Sequence, residues 1–176
     1  MKNFLLPLTI CMLIAACKNE SKDVLSTTTD SSIEISKELA IEEQYIENDS
    51  LVNLMELELS KLIENPKFVI EKVLVNNRHV DNIVDTIKKY KYDDITIAAY
   101  KAVSEEWIFE GKILSSSLEF SKIYKIGMFK QQFEETINTK LRSERVSIGN
   151  LEQTSVFIFT FKNNVLVEVN YEGYVD

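Results

Sequence analysis

From residue 50 onward the apolar positions follow two periods, one near 3.6 and one of two, and the period changes at polar breaks. Leu51, Leu54, Met55, Leu59, Leu62 and Ile63 recur every three or four residues and predict a helix with a wide apolar stripe. Asn48, Asp49 or Ser50 can cap its start. Asn65-Pro66 closes it, because the residue before proline avoids helical geometry. The stretch 68–75, rich in β-branched residues, predicts a strand. Residues 80–92 admit two readings. Asp81 can cap a helix carrying Ile83, Val84, Ile87 and Tyr90, with Lys88, Lys89 and Lys91 near its C-terminal end. Alternatively, 86–92 is a strand that turns at Asp93-Asp94 into 95–101. The hairpin is preferred, since Ile87 and the tyrosines suit a strand. Next, 107–115 reads as a strand with Trp107, Phe109 and Ile113 on one face and Glu110 and Lys112 on the other.

A second helix follows Gly127, with Phe129, Phe133, Ile137 and Leu141 at intervals of four. In the tail, Phe157, Phe159 and Phe161 alternate, Lys162-Asn163-Asn164 turns, and Val165, Val167, Val169 and Tyr171 alternate back. A two-residue Asn-Asn loop would set Phe159 opposite Glu168. A three-residue loop sets Phe161, Phe159 and Phe157 opposite Val165, Val167 and Val169. Because register follows the buried face, the three-residue loop with a left-handed Asn164 is expected. If one sheet face is uncovered, Val156, Ile158 and Leu166 would face outward. The element order predicts an α+β fold: an antiparallel sheet with helices on one face, built from two similar helix-plus-strands units.

The N-terminus has a different texture. Met1-Lys2-Asn3 precedes an apolar run from Phe4 to Ile14 and then Ala15-Ala16-Cys17. A positive start, a short apolar run and small residues form a secretory signal, too short to span a bilayer as a mature helix. Ile14-Ala15-Ala16-Cys17 resembles the lipobox of bacterial lipoproteins. Ile10 before Cys11 departs from that pattern, so the lipid is assigned to Cys17. The resemblance implies cleavage between Ala16 and Cys17, a signal peptide over 1–16 and acylation of the new N-terminus. Two or three acyl chains anchor stably where one holds only marginally. Lys18, where Asp would favour the inner membrane, leans toward the outer membrane under the proteobacterial sorting rule.

Charge divides the remainder. Residues 18–49 hold three Lys against nine Asp/Glu, a net of −6, and predict a flexible acidic tether running from the lipidated cysteine, 17–49. Residues 50–176 hold 16 Lys/Arg against 19 Asp/Glu, so one nearly neutral module is expected there. Within it, Lys125-Ile126-Gly127-Met128, the helix from Phe129 to Ile137 and the 157–171 hairpin resemble small lipoproteins of the BamE/SmpA type and the related β-lactamase-inhibitor-protein fold. That resemblance implies a Gly-Met helix start and a closing hairpin, and it carries no functional residue across.

Catalytic chemistry finds little support. The lone His79 lies in a polar loop without a readable nucleophile or orienting partner. The pairs Asp93-Asp94, Glu105-Glu106 and Glu134-Glu135 are adjacent residues, which do not share a face. No metal-ligand spacing, phosphate loop or dinucleotide fingerprint occurs, so no metal, cofactor or catalytic residue is assigned. Lys88-Lys89-Tyr90-Lys91-Tyr92 interleaves bases with aromatics, yet an exported module without net positive charge argues against nucleic acid. The expectation is therefore a non-enzymatic, lipid-anchored envelope protein, held to the membrane at Cys17, whose module binds an envelope protein. The alternatives are a periplasmic inhibitor or immunity-type protein and, from another class, an envelope hydrolase using Asp93, Glu105 or Glu106.

Overall fold

The computed structural model describes residues 43–118 and 121–174. The signal peptide, Cys11, Ala16 and Cys17 lie outside the described residues. The elements run β1 (Glu43–Glu47), α1 (Asp49–Leu62), β2 (Val69–Asn76), β3 (Val84–Tyr92), β4 (Ile95–Lys101), β5 (Glu106–Ile113), α2 (Lys130–Ile137), β6 (Arg145–Gly149), β7 (Ser155–Lys162) and β8 (Val165–Gly173). All the strands join one sheet in the order β1-β6-β7-β8-β5-β4-β3-β2. Every pairing is antiparallel except β1 with β6, which is parallel.

This corrects the expected α+β class with its antiparallel sheet and repeated helix-plus-strands units. The fold is a mixed, sheet-dominated one, with eight strands against helices of only 14 and eight residues. Two short strands supply the difference. Tyr45 and Ile46 of β1 come from the stretch read as tether, and β6 is five residues long. Tyr45 is held by its hydroxyl, which donates to the Asn150 carbonyl at 3.0 Å, and its ring lies against Gly149. A Cβ at Gly149 would fall 2.9 Å from the ring carbon Cζ, so this glycine is what allows the close approach.

Helix α1 starts as its sequence indicates. The Asn48 side chain accepts from the Leu51 amide at 3.0 Å, and Val52, Met55, Leu59 and Leu62 are buried. Helix α2 is shorter than the four-residue spacing implied. Asn138, at φ 52°, ends it, so only Phe133 of the stripe is fully buried within the helix. Gly127 precedes it at φ +90°, a conformation few other residues adopt. The preferred hairpin over 86–101 forms, with Asp93 left-handed in its turn.

Two β-bulges account for the remaining departures. In β5, Ala98 pairs with Glu110 and Ala99 with Ile108, which leaves Phe109 as the extra residue. The phase of the strand therefore flips, and Trp107 shares a face with Glu110 and Lys112 instead of Ile113. In the tail hairpin the turn is the two-residue one, with Asn163 at φ 52° and Asn164 at φ 62°, and Lys162 pairs with Val165. The bulge between Thr160 and Phe161 then restores the apolar register, setting Phe161 on Leu166, Phe159 on Val169 and Phe157 on Tyr171. Leu166 is consequently fully buried, against the expectation that it faces outward.

The core gathers on one side of the sheet. Phe133 of α2 lies 4.6 Å from Phe159 between ring centroids, and Tyr124 lies 5.2 Å from Phe159 in an edge contact. Ile95, Ile97, Ala99, Ile113, Val146, Ile148 and Val169 complete it with the buried residues of α1. Truncating Phe159→Ala should cost about 3–5 kcal/mol of unfolding free energy, whereas Leu54→Ala on the exposed side of α1 should cost under about 0.5 kcal/mol. Urea unfolding followed by circular dichroism checks both values.

Candidate functional site

Strand β2 closes the sheet opposite β1, and among the described residues one of its two edges has no partner strand. Its sequence is Val-Ile-Glu-Lys-Val-Leu-Val-Asn, and every residue but Val75 is exposed. Val69 is 67% exposed, Ile70 47%, Val73 47% and Leu74 73%. Side chains alternate along a strand, so Val69 and Val73 lie on one face while Ile70 and Leu74 lie on the other. Each face of the terminal strand thus carries exposed apolar side chains, interrupted by Glu71 on the first and by Lys72 and Asn76 on the second. A run of this length beside unpaired backbone donors and acceptors is the feature by which sheets recruit further strands.

Hydrogen-bond phase along β2 follows from the Asn77 amide, which donates to the Ile83 carbonyl at 2.9 Å. The register places Asn76 opposite Val84 and Val75 opposite Asp85. In an antiparallel pair the bonded positions alternate, so Val69, Glu71, Val73 and Val75 bond to β3. Ile70, Lys72, Leu74 and Asn76 point their amides and carbonyls at the open edge.

Beyond β2 an apolar row continues across the sheet. Val73 stands opposite Ile87, Ile87 opposite Tyr100, and Tyr100 opposite Trp107. The Tyr100 and Trp107 rings stack at 6.3 Å with 29° between their planes, and Trp107 is 43% exposed. This row lies on the face away from α1 and α2. The β5 bulge puts Trp107 there, which is why its place could not be read from strict alternation.

A buried acid stiffens the end of this surface. Asp85 is 2% exposed; its Oδ2 accepts from Asn77 Nδ2 at 2.7 Å and from the Tyr100 hydroxyl. The bond to Asp85 raises the Tyr100 pKa, with burial adding to it. Asn77 Oδ1 in turn accepts from the His79 and Val80 amides at 2.8 and 2.7 Å. One side chain thereby holds the β2–β3 loop in shape, and His79 sits exposed on that loop without a catalytic partner among the described residues.

The lysine-tyrosine run lies on β3 and is largely consumed by contacts within the chain. Lys91 pairs with Glu71 at 2.8 Å, and Lys88 Nζ lies 2.6 Å from Glu106, which also accepts from the Tyr90 hydroxyl at 2.6 Å. Tyr90 itself is 4% exposed, and its pKa is raised by burial and by the bond to Glu106. Burial works to raise the Glu106 pKa, but the bonds from Lys88 and Tyr90 outweigh it and hold the carboxyl below its ordinary value.

The carboxylates named from sequence do not converge. Asp93 is in the β3–β4 turn, where Ser115 Oγ donates to it at 2.6 Å and the Ser115 and Ser117 hydroxyls hold its pKa down. Glu105 and Glu106 lie at the far end of seven-residue β4, where Glu106 stands opposite Lys101, about 24 Å away along the strand. Glu134 is tied to Lys140 at 2.8 Å and accepts from the Leu141 amide. Glu106 does line a cleft of about 240 Å³ with Glu56, Ser60, Ser155, Tyr171 and Tyr174. There the Tyr171 hydroxyl donates to Glu56 at 2.7 Å. Among the described residues no group of three or more His, Cys, Asp or Glu could hold a metal ion, and no helix is long and apolar enough to cross a membrane.

No protein-family model matches the chain, and no curated protein or solved structure resembles it significantly.

The Glu106 geometry has a consequence for acid stability. A carboxyl whose pKa is lowered by folding stabilises the fold above its unfolded value, near 4.5, and loses that contribution as pH falls through the folded value. Glu106→Gln should therefore flatten the loss of stability between about pH 5 and pH 3. Urea midpoints measured across that range check it; an unchanged slope would show that the Lys88–Glu106–Tyr90 cluster does not hold the proton equilibrium.

Proposed function

We propose that the chain is a lipid-anchored cell-envelope protein whose module binds another protein chain by strand addition at β2. The single observation that carries the binding class is the terminal strand itself: eight residues with exposed apolar side chains on both faces, and four backbone positions aimed outward with no strand partner among the described residues. The row Val73, Ile87, Tyr100 and Trp107 offers the incoming chain an apolar bed beside the new ladder. Asp93 lies at the opposite end of β4 from Glu105 and Glu106, which supports binding over hydrolysis as the reading. The envelope address rests on Ile14-Ala15-Ala16-Cys17 and the apolar run before it. The outer membrane is favoured by Lys18.

Binding and anchoring are tested on one set of full-length variants in cells. Cys17→Ser should abolish acyl labelling and release the chain from the membrane fraction. Leu74→Lys places a charge on the edge, and Lys72→Pro removes an outward amide while leaving the bonds to β3 intact. Either should cut recovery of crosslinked partner by about tenfold or more, with the circular dichroism spectrum unchanged. Equal recovery from wild type and both edge variants would place binding elsewhere on the module.

A further inference from the structure

We propose that the strand accepted by β2 is β2 of a second copy, paired antiparallel about a two-fold axis at Val73. The inference rests on the strand-addition reading above and names its partner. A two-fold axis perpendicular to the sheet keeps the faces of the two copies continuous, so paired residue numbers must sum to an even number. Among such registers, centring on Glu71 sets two glutamates opposite each other, and centring on Lys72 sets two lysines. Centring on Ile70 or Val75 shortens the ladder to three residues, and centring on Leu74 shortens it to five.

Val73 satisfies every condition. It places Lys72 opposite Leu74, Glu71 opposite Val75 and Ile70 opposite Asn76 of the second copy, with no like charges facing. Ile70, Lys72, Leu74 and Asn76 are the positions whose amides and carbonyls already point outward. They fall opposite one another in this register, forming about eight new backbone hydrogen bonds. The Val73 pair itself is of the non-bonded type, in which side chains approach most closely. The apolar row then runs unbroken through the axis, from Trp107, Tyr100, Ile87 and Val73 into Val73, Ile87, Tyr100 and Trp107 of the second copy. On the opposite face, Leu74 packs along the stem of Lys72 of the second copy. The outward positions Ile70, Lys72, Leu74 and Asn76 are disposed symmetrically about Val73, so the bonding phase of this edge matches that of a second copy of itself.

The test is register-specific crosslinking in the full-length chain. Cα atoms of a non-bonded antiparallel pair lie about 4.5 Å apart, within disulfide range, so Val73→Cys should give a reducible species of twice the monomer mass after mild oxidation. Val75→Cys, displaced from the axis, should stay at the wild-type level. Sedimentation should find a dimer for wild type and a monomer for Lys72→Pro. A monomeric wild type, or equal crosslinking at both cysteines, overturns the proposal. If in that case Leu74→Lys still abolishes capture of a different protein, strand addition stands and only the second copy falls. If Leu74→Lys also has no effect, both readings fall.

Discussion

An eight-stranded sheet needs more cover than the two short helices among the described residues can supply, and the rest of the described structure follows from that constraint. Helices of 14 and eight residues are about 21 and 12 Å long, against a sheet about 34 Å across. Cover is spent where the aromatic side chains are: Phe133 and Tyr124 on Phe159, and Leu59 near Gly111 and Tyr171. What remains is a sheet whose β2 end is bare on both faces. Any pairing that removes the exposed apolar side chains of this edge from water would be favourable, and the described elements do not supply one.

The polar groups around the bare end act to keep it rigid. Asp85 draws Asn77 and Tyr100 together from the loop and from β4, and Asn77 holds the amides of His79 and Val80. Glu106 ties Lys88 and Tyr90 on the other face. A buried carboxylate of this kind adds little net stability but fixes geometry, because its partners must be in place before it can be desolvated. A chain added at this edge would meet a strand already in its final shape, which lowers the ordering cost of association.

Sequence reasoning read the strands bounded by strong local signals and missed those defined by their neighbours. Asp93-Asp94 and Asn163-Asn164 mark turns because short polar side chains tolerate left-handed backbone, and both hairpins were legible. Strands β1 and β6 were not: five residues such as Glu-Gln-Tyr-Ile-Glu carry no long alternation, and only the partner strand makes them β. Bulges at Phe109 and Val167 reset the phase that alternation assumes, which misplaced Trp107 and selected the wrong turn length. The strand over 68–75 was legible, but its place at the end of the sheet was not. Being at the edge is a property of strand order, and strand order is set by long-range pairing that no local pattern encodes.

Residue-resolved amide hydrogen exchange along β2 tests the account most directly. Val73 and Val75 bond to β3 and should be protected at any concentration. Ile70, Lys72, Leu74 and Asn76 should be protected in concentrated protein and exchange freely on dilution, and Ile70, Leu74 and Asn76 should exchange freely in Lys72→Pro at any concentration. Protection confined to the residues facing β3 at every concentration would contradict the account, because it would leave the outward row of β2 facing water.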